Sequence, residues 1–219
     1  VMNEKRVSKV RPGHADLVGA IKYAQTDARN ILERASARET AIRVAAGGVY
    51  KQYLEELGVK IGGYVKEICG VKDEGEYTFA ELARAKQTPT GMIDEVAGKL
   101  AEEKIAALKA AGDTAGGVVE IRVKGLKSGF GSCMAYEEKL DALLAQGLMS
   151  IQAVKGVEFG AGFAVACKSG KEIHDEIYYE DGKYTRKTNR AGGIEGGMSN
   201  GEEIIVRVAM KPIPTLMRG

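Results

Sequence analysis

The side chains with the clearest chemical potential fall in a few short stretches. His14 lies in Arg11-Pro-Gly-His-Ala-Asp16 and is one of two histidines in the chain. An imidazole titrates near neutral pH, so a histidine between an arginine and an aspartate suits general acid–base work. A surface or capping histidine fits the same residues. Arg34-Ala-Ser-Ala-Arg-Glu-Thr40 sets Arg34 and Arg38 beside the Ser36 hydroxyl at what reads as a helix start. Free helix N–H groups and two guanidinium groups could hold a phosphate. The same stretch also reads as a capping box with solvated arginines, extended by Arg29 and Arg43. Arg190-Ala-Gly-Gly-Ile-Glu-Gly-Gly-Met-Ser-Asn-Gly-Glu-Glu203 offers bare backbone amides beside Lys187 and Arg190, which suits an anionic ligand. A glycine-rich hairpin loop is the plain alternative. His174-Asp175-Glu176 puts one histidine beside two adjacent acids, which is no metal-ligand set, and reads as a solvated turn.

Bulk properties narrow the function classes. The 219 residues suffice for a core without staples. A net charge of +2 provides no basic field, so nucleic acid is not suggested. Cys69, Cys133 and Cys167 are odd in number, widely spaced and outside any CxxC pattern, which argues against disulfides and zinc. They read as buried or incidental thiols in a reducing compartment. No apolar run is long enough to span a membrane and no signal peptide is visible, so the expectation is a cytoplasmic protein. Val1 is no initiator Met, and the ending Met217-Arg218-Gly219 suggests a fragment cut at both ends.

Periodicity supplies the elements that must position these groups. Residues 1–10 alternate weakly, as an edge strand would. Residues 16–34 read as one helix or two, with Asp16 and Asp27 as N-caps. Residues 36–57 read as a strong helix opened by a Ser36–Glu39 capping box and ended by Gly58. Its predicted apolar face runs through Ile42, Val49, Tyr53 and Leu57. Residues 59–71 read as a strand bulged at Gly62-Gly63, and 78–85 as a short helix. Residues 92–111 predict an amphipathic helix with Val96, Leu100 and Ile105 on its apolar side. Residues 117–126 alternate as a half-buried strand. A helix over 136–151, a strand over 154–159, an ambiguous segment over 161–168 and an Asp181-Gly182 hairpin turn follow. The strand over 204–210 and Lys211-Pro-Ile-Pro-Thr215 close the chain. This order predicts an α+β class in one domain over residues 1–219, with antiparallel sheets packed against a helical layer. The chemistry alone leaves open an anionic-substrate enzyme, a non-catalytic flavin- or phosphate-binding module, and a structural or oligomerisation domain.

Five stretches taken together are more specific. Arg11-Pro-Gly-His-Ala-Asp16, Arg34-Ala-Ser-Ala-Arg-Glu-Thr40, Met149-Ser-Ile-Gln-Ala-Val-Lys-Gly-Val-Glu158, Asn189-Arg-Ala-Gly-Gly-Ile-Glu-Gly-Gly-Met-Ser-Asn-Gly201 and Met210-Lys-Pro-Ile-Pro-Thr215 occur in this order. The set closely resembles the chorismate synthases. The resemblance implies a β-α-β sandwich and a carbon–oxygen lyase of the shikimate pathway. That reaction is an anti 1,4-elimination of phosphate from 5-enolpyruvylshikimate 3-phosphate, with reduced FMN required but no net redox change. It further implies a homotetramer and an association with NADP. By resemblance His14 is the catalytic histidine, and Arg11 and Arg38 lie near the substrate. Arg34, Ala35, Ser36, Gln152, Ala153, Gly196, Lys211, Pro212, Ile213, Pro214 and Thr215 contact the flavin; no metal is implied. The family's F-G-E-S-H-G segment with a second histidine, the arginine pair after it and the acidic R-S-D-type motif have no counterpart here. The chain therefore reads as the central part of a longer enzyme, inactive by itself.

Overall fold

A computed structural model describes residues 6–216. Two short helices open it, α1 (Asp16–Lys22) and α2 (Arg29–Ala35), followed by a 3-10 turn and the long α3 (Thr40–Glu56). Strand β1 (Lys60–Ile68) turns back at Cys69-Gly70 into β2 (Val71–Lys72). A 3-10 helix over Phe79–Gln87 and α4 (Glu95–Ala110) lead to β3 (Gly117–Lys124). Next come α5 (Leu140–Met149), β4 (Val154–Phe159), a 3-10 turn over Gly162–Cys167 and the single-turn α6 (Gly170–Ile173). Two hairpins follow, β5 (Ile177–Glu180) with β6 (Lys183–Arg186) and β7 (Ile194–Glu195) with β8 (Met198–Ser199). The last strand, β9 (Ile204–Met210), enters the main sheet between β3 and β4.

That sheet is antiparallel throughout, in the order β2-β1-β3-β9-β4. The α+β class is as the sequence predicts. Register gives each face its character. Tyr64, Glu120, Arg207 and Glu158 stand opposite one another on one face. Val65, Val119, Val208 and Val157 share the other. Two apolar clusters form the core. Tyr64, Leu82, Ala85 and Ile93 pack on one side, and Met92, Ala97 and Ala101 pack against Val65, Ile68 and Val71. Asp73 is fully buried between them; it accepts from the Ile93 and Asp94 N–H groups, at 2.9 and 3.0 Å, and from the Tyr77 hydroxyl at 2.7 Å.

Several local expectations need correction. Residues 6–10 are irregular rather than an edge strand, and 1–5 lie outside the described residues. Asp16 caps nothing: it is the first helical residue, and its carboxylate turns inward. The N-cap of α2 is Ala28 rather than Asp27, although Asp27, one residue earlier, accepts from Arg29 N–H at 2.9 Å. The Ser36–Glu39 capping box does not form. Ser36 Oγ accepts from Arg38 N–H, and Glu39 is drawn to Arg43 and Gln152 instead. α3 therefore begins at Thr40, and none of its residues is buried: Ile42, Val49 and Tyr53 are all exposed, as is Leu57 just past its end. The bulge in β1 lies between Val65 and Glu67, not at the glycine pair. Gly63 instead lets β1 approach β3, because a Cβ there would stand 2.8 Å from the Glu120 carbonyl. α4 buries its small residues Ala97, Gly98 and Ala101, not Val96 and Leu100, since small side chains let the helix approach the sheet closely. The three cysteines are exposed, not buried. The Asp181-Gly182 turn is as predicted, with both residues at positive φ.

Candidate active site

The site is built outward from Asp16. Its side chain is 1% exposed at the first turn of α1. Oδ2 accepts from Arg11 N–H at 3.1 Å and Arg11 Nε at 2.8 Å. Oδ1 accepts from Arg11 Nη2 at 3.1 Å and lies 2.5 Å from His14 Nδ1. Hydrogen bonds from Arg11 outweigh burial and hold this carboxyl down at about 2. Arg11 is in turn raised by its bonds to Asp16. The remaining arm of Arg11, Nη1, donates to Thr215 Oγ1 at 2.9 Å, across 204 residues of sequence. Lys211 Nζ donates to the Gly13 carbonyl next door.

The end of β9 continues the same surface. Lys211 N–H donates to the Ala153 carbonyl at 3.0 Å. Ala153 itself has φ of 71°, an uncommon conformation for a residue with a Cβ. Pro212 packs beside Gly116, and Ile213 accepts from the Thr114 hydroxyl at 2.7 Å. Gln152 Nε2 donates to Glu39 at 3.3 Å, and Arg43 Nη1 donates to Ser150 Oγ at 2.8 Å. The bond from Gln152, then that from Arg43, lowers the Glu39 carboxyl. These contacts dock the segment after α2 onto the turn before β4.

A cavity of about 660 Å³ opens between these parts, and Ala15, Gly19, Tyr23, Arg34, Ala35 and Gln152 are among its lining. Its shape depends on Gly19, whose added Cβ would collide with Cγ2 of Ile31 on α2.

Most of the residues singled out from sequence thus meet in one region. His14, Arg11, Lys211 and Thr215 form one linked group, and Arg34, Ala35 and Gln152 line the cavity beside it. Ser36 holds the turn into α3. Arg38 points elsewhere: its side chain is 76% exposed and pairs with Glu33 at 2.5 Å. Gly196 lies in the β7–β8 turn at φ 57°, with only Met198 near its Cβ position, and is not part of the cavity lining. The glycine stretch is held by Asp175, which sequence reads as part of a solvated turn. Its oxygens accept from the Thr188 hydroxyl at 2.5 Å and from Arg190 and Ala191 N–H at 2.9 Å each. The buried role of Asp16, the Glu39–Gln152 bond and the Tyr23 wall were missed. An acid two residues after a histidine was the one available signal for the first.

The family model for chorismate synthase matches residues 2–219. The chain belongs to the chorismate synthase family. It is 53% identical to the chorismate synthase of Bacillus subtilis (strain 168), over 98% of this chain and 56% of that protein. It is 51% identical to the chorismate synthase of Listeria innocua serovar 6a, over 99% of this chain and 57% of that protein. A crystal structure of chorismate synthase superposes with a TM-score of 0.85 at 42% identity, covering 90% of this chain and 63% of that one. The chain thus spans a little over half the length of the curated relatives it matches. Among the described residues, no helix is long and apolar enough to cross a membrane, and no group of three His, Cys, Asp or Glu could hold a metal.

Proposed function

We propose that the polypeptide containing this stretch is a chorismate synthase. It would eliminate phosphate from 5-enolpyruvylshikimate 3-phosphate in an anti 1,4 sense, with reduced FMN. The observation that carries this reading is the linked group of His14, Arg11, Lys211 and Thr215 beside the Arg34–Gln152 cavity.

The residues fit a flavin. The cavity has the size of a small-molecule site, with a cationic side chain, a carboxamide and an aromatic ring on its walls. Arg34, Ala35, Ser36, Gln152 and Ala153 would hold FMN, with Lys211, Pro212, Ile213, Pro214 and Thr215 toward its phosphate end; Gly196 would approach it only from the β7–β8 turn outside this cavity. Reduced FMN, when bound, supplies the electron density that eases departure of the phosphate. His14 gives or takes a proton at Nε2, the ring nitrogen not bonded to Asp16. Arg11 and Arg38 meet the substrate's anionic groups, Arg38 after exchanging Glu33 for the ligand.

This stretch alone is proposed to be a single domain, the central part of a longer enzyme, and inactive without the rest. A homotetramer and a cytoplasmic location belong to the same reading, and the exposed apolar row on α3 supports burial against another surface. The test is an FMN titration followed by flavin absorbance, with and without 5-enolpyruvylshikimate 3-phosphate. Binding with a substrate-dependent spectral change is expected of the full-length protein. Flavin binding that the substrate never perturbs would reduce the reading to a flavin-binding module.

A further inference from the structure

His14 and Arg11 share one carboxylate, and that sharing has a consequence for the imidazole. Asp16 is ionised at any working pH, so its oxygens only accept hydrogen bonds. The hydrogen in the 2.5 Å contact between Asp16 Oδ1 and His14 must therefore sit on Nδ1. Arg11 only donates, and its Nη2 lies 3.1 Å from Nδ1 and 3.3 Å from Nε2. A donor almost equidistant from both ring nitrogens lies across the ring rather than along one lone pair. Nδ1 is already committed to Asp16, so the guanidinium blocks tilting of the ring and does not compete for its hydrogen. Nε2 is left as the working nitrogen.

We propose that Asp16 is a positioning residue for His14. It fixes the Nδ1–H tautomer, leaves Nε2 to exchange the proton, and ties the imidazole through Arg11 to Thr215. Nδ1 keeps its hydrogen throughout, and only Nε2 gains or loses one. A bond network runs from His14 to Asp16, from Asp16 to Arg11 and from Arg11 to Thr215, so the ring and the 211–215 segment are held by the same carboxylate. Burial of Asp16 makes the arrangement stiff, because no water can replace either partner. The catalytic part of this inference rests on the reading under Proposed function; the tautomer does not.

The substitution Asp16→Asn separates the two. An amide has one accepting oxygen and one donating NH₂. Two Arg11 groups, the backbone N–H and Nε, donate to Oδ2, so the amide oxygen takes that position, and Nη2 loses its acceptor at the other. The NH₂ then faces Nδ1, which must become an acceptor, and the ring hydrogen moves to Nε2. In the full-length protein labelled with ¹⁵N-histidine, the His14 signal is assigned by its loss in His14→Ala. Above the imidazolium range the wild type should show a protonated Nδ1 and an unprotonated Nε2, and Asp16→Asn should show the reverse. With FMN and substrate, kcat should fall about 10–100-fold, as for loss of other orienting partners, while KM for the substrate moves little. Asp16→Asn combined with His14→Ala should be no slower than His14→Ala alone. A wild-type spectrum with the hydrogen on Nε2 overturns the inference, even if Asp16→Asn fails to fold. So does an unchanged tautomer in a folded variant, or a reversed tautomer with full kcat. If His14→Ala itself leaves turnover intact, the functional reading fails, while the spectra still decide the tautomer.

Discussion

Arg207 Nε lies 2.8 Å from Oε2 of Glu120, facing it directly across β3 and β9. Glu120 is 2% exposed, and its other oxygen accepts from Arg122 Nε at 2.8 Å. Arg207 goes on to Glu158 at 3.1 Å and to the Gly160 carbonyl at 3.0 Å, and Arg122 reaches the Tyr77 carbonyl at 2.6 Å. Across β3, β9 and β4 one face of the sheet thus carries a connected ladder of charges.

The ladder predicts unequal costs for its two acids. Removing Glu120 leaves two arginines without their shared buried partner, and breaking such a pair costs about 3–5 kcal/mol. Glu158 is more exposed, and its arginine keeps Glu120, so its loss should cost about 1 kcal/mol. Urea unfolding of Glu120→Ala and Glu158→Ala measures both. Equal losses would mean that Glu120 is not the hub.

The sheet was legible because strand alternation survives in single residues. Val118, Glu120, Arg122 and Lys124 alternate with Val119, Ile121 and Val123, and β3 runs over all of them. Alternation does not say that a charged face will be buried, so the pattern carried no sign of the buried Glu120. Helix faces were less legible. α3 carries a regular apolar row that nothing within the described residues covers, whereas α4 turns alanines inward where bulk suggested Val96 and Leu100. Motifs located the site through residue type, but the acids that hold it, Asp16, Glu39 and Asp175, acquire their partners from distant segments. Asp16 reaches Thr215 only through Arg11, and Glu39 meets Gln152 across 113 residues.

Stability should fall in acid through Asp16. Its folded value is depressed to about 2 from 3.8, so its contribution is complete above about pH 4 and is lost as pH falls toward 2. The difference corresponds to about 2 kcal/mol. Asp73 is shifted in the same direction: burial alone would raise it, and hydrogen bonds from Asp94 N–H, Tyr77, Gly75 N–H and Ile93 N–H outweigh that. Denaturant titrations between pH 2 and 7 should show a plateau from pH 5 upward and a decline below. Asp16→Asn should flatten part of that decline; an identical slope in the variant would contradict the assignment.

Asp175→Ala should loosen the glycine stretch locally. Three donors from Thr188, Arg190 and Ala191 lose their acceptor together, at about 1 kcal/mol each for the ordinary bonds. Amide hydrogen exchange at Arg190 and Ala191 should accelerate, while the amides of β9 keep their protection. Uniform acceleration across the sheet would show that Asp175 supports the whole fold rather than this loop.

Gly19→Ala tests whether the cavity depends on close contact between α1 and α2. Alanine normally favours a helix over glycine by about 1 kcal/mol, so a neutral site would be stabilised. Here the new methyl meets Cγ2 of Ile31, a branched side chain only 8% exposed with little room to move. Overpacking of this kind costs about 1–3 kcal/mol, which exceeds the gain in helix propensity. The helices must part, and Arg34 and Ala35 on α2 shift relative to Ala15 and Tyr23. Gly19→Ala should therefore lower both the unfolding free energy and FMN affinity. Ile31→Ala removes the colliding Cγ2 at the cost of a cavity. The double variant should consequently lose less than the sum of the two single losses. Strict additivity, or a stabilised Gly19→Ala that still binds FMN normally, would show that the two helices have slack and that Gly19 does not set the width of the site.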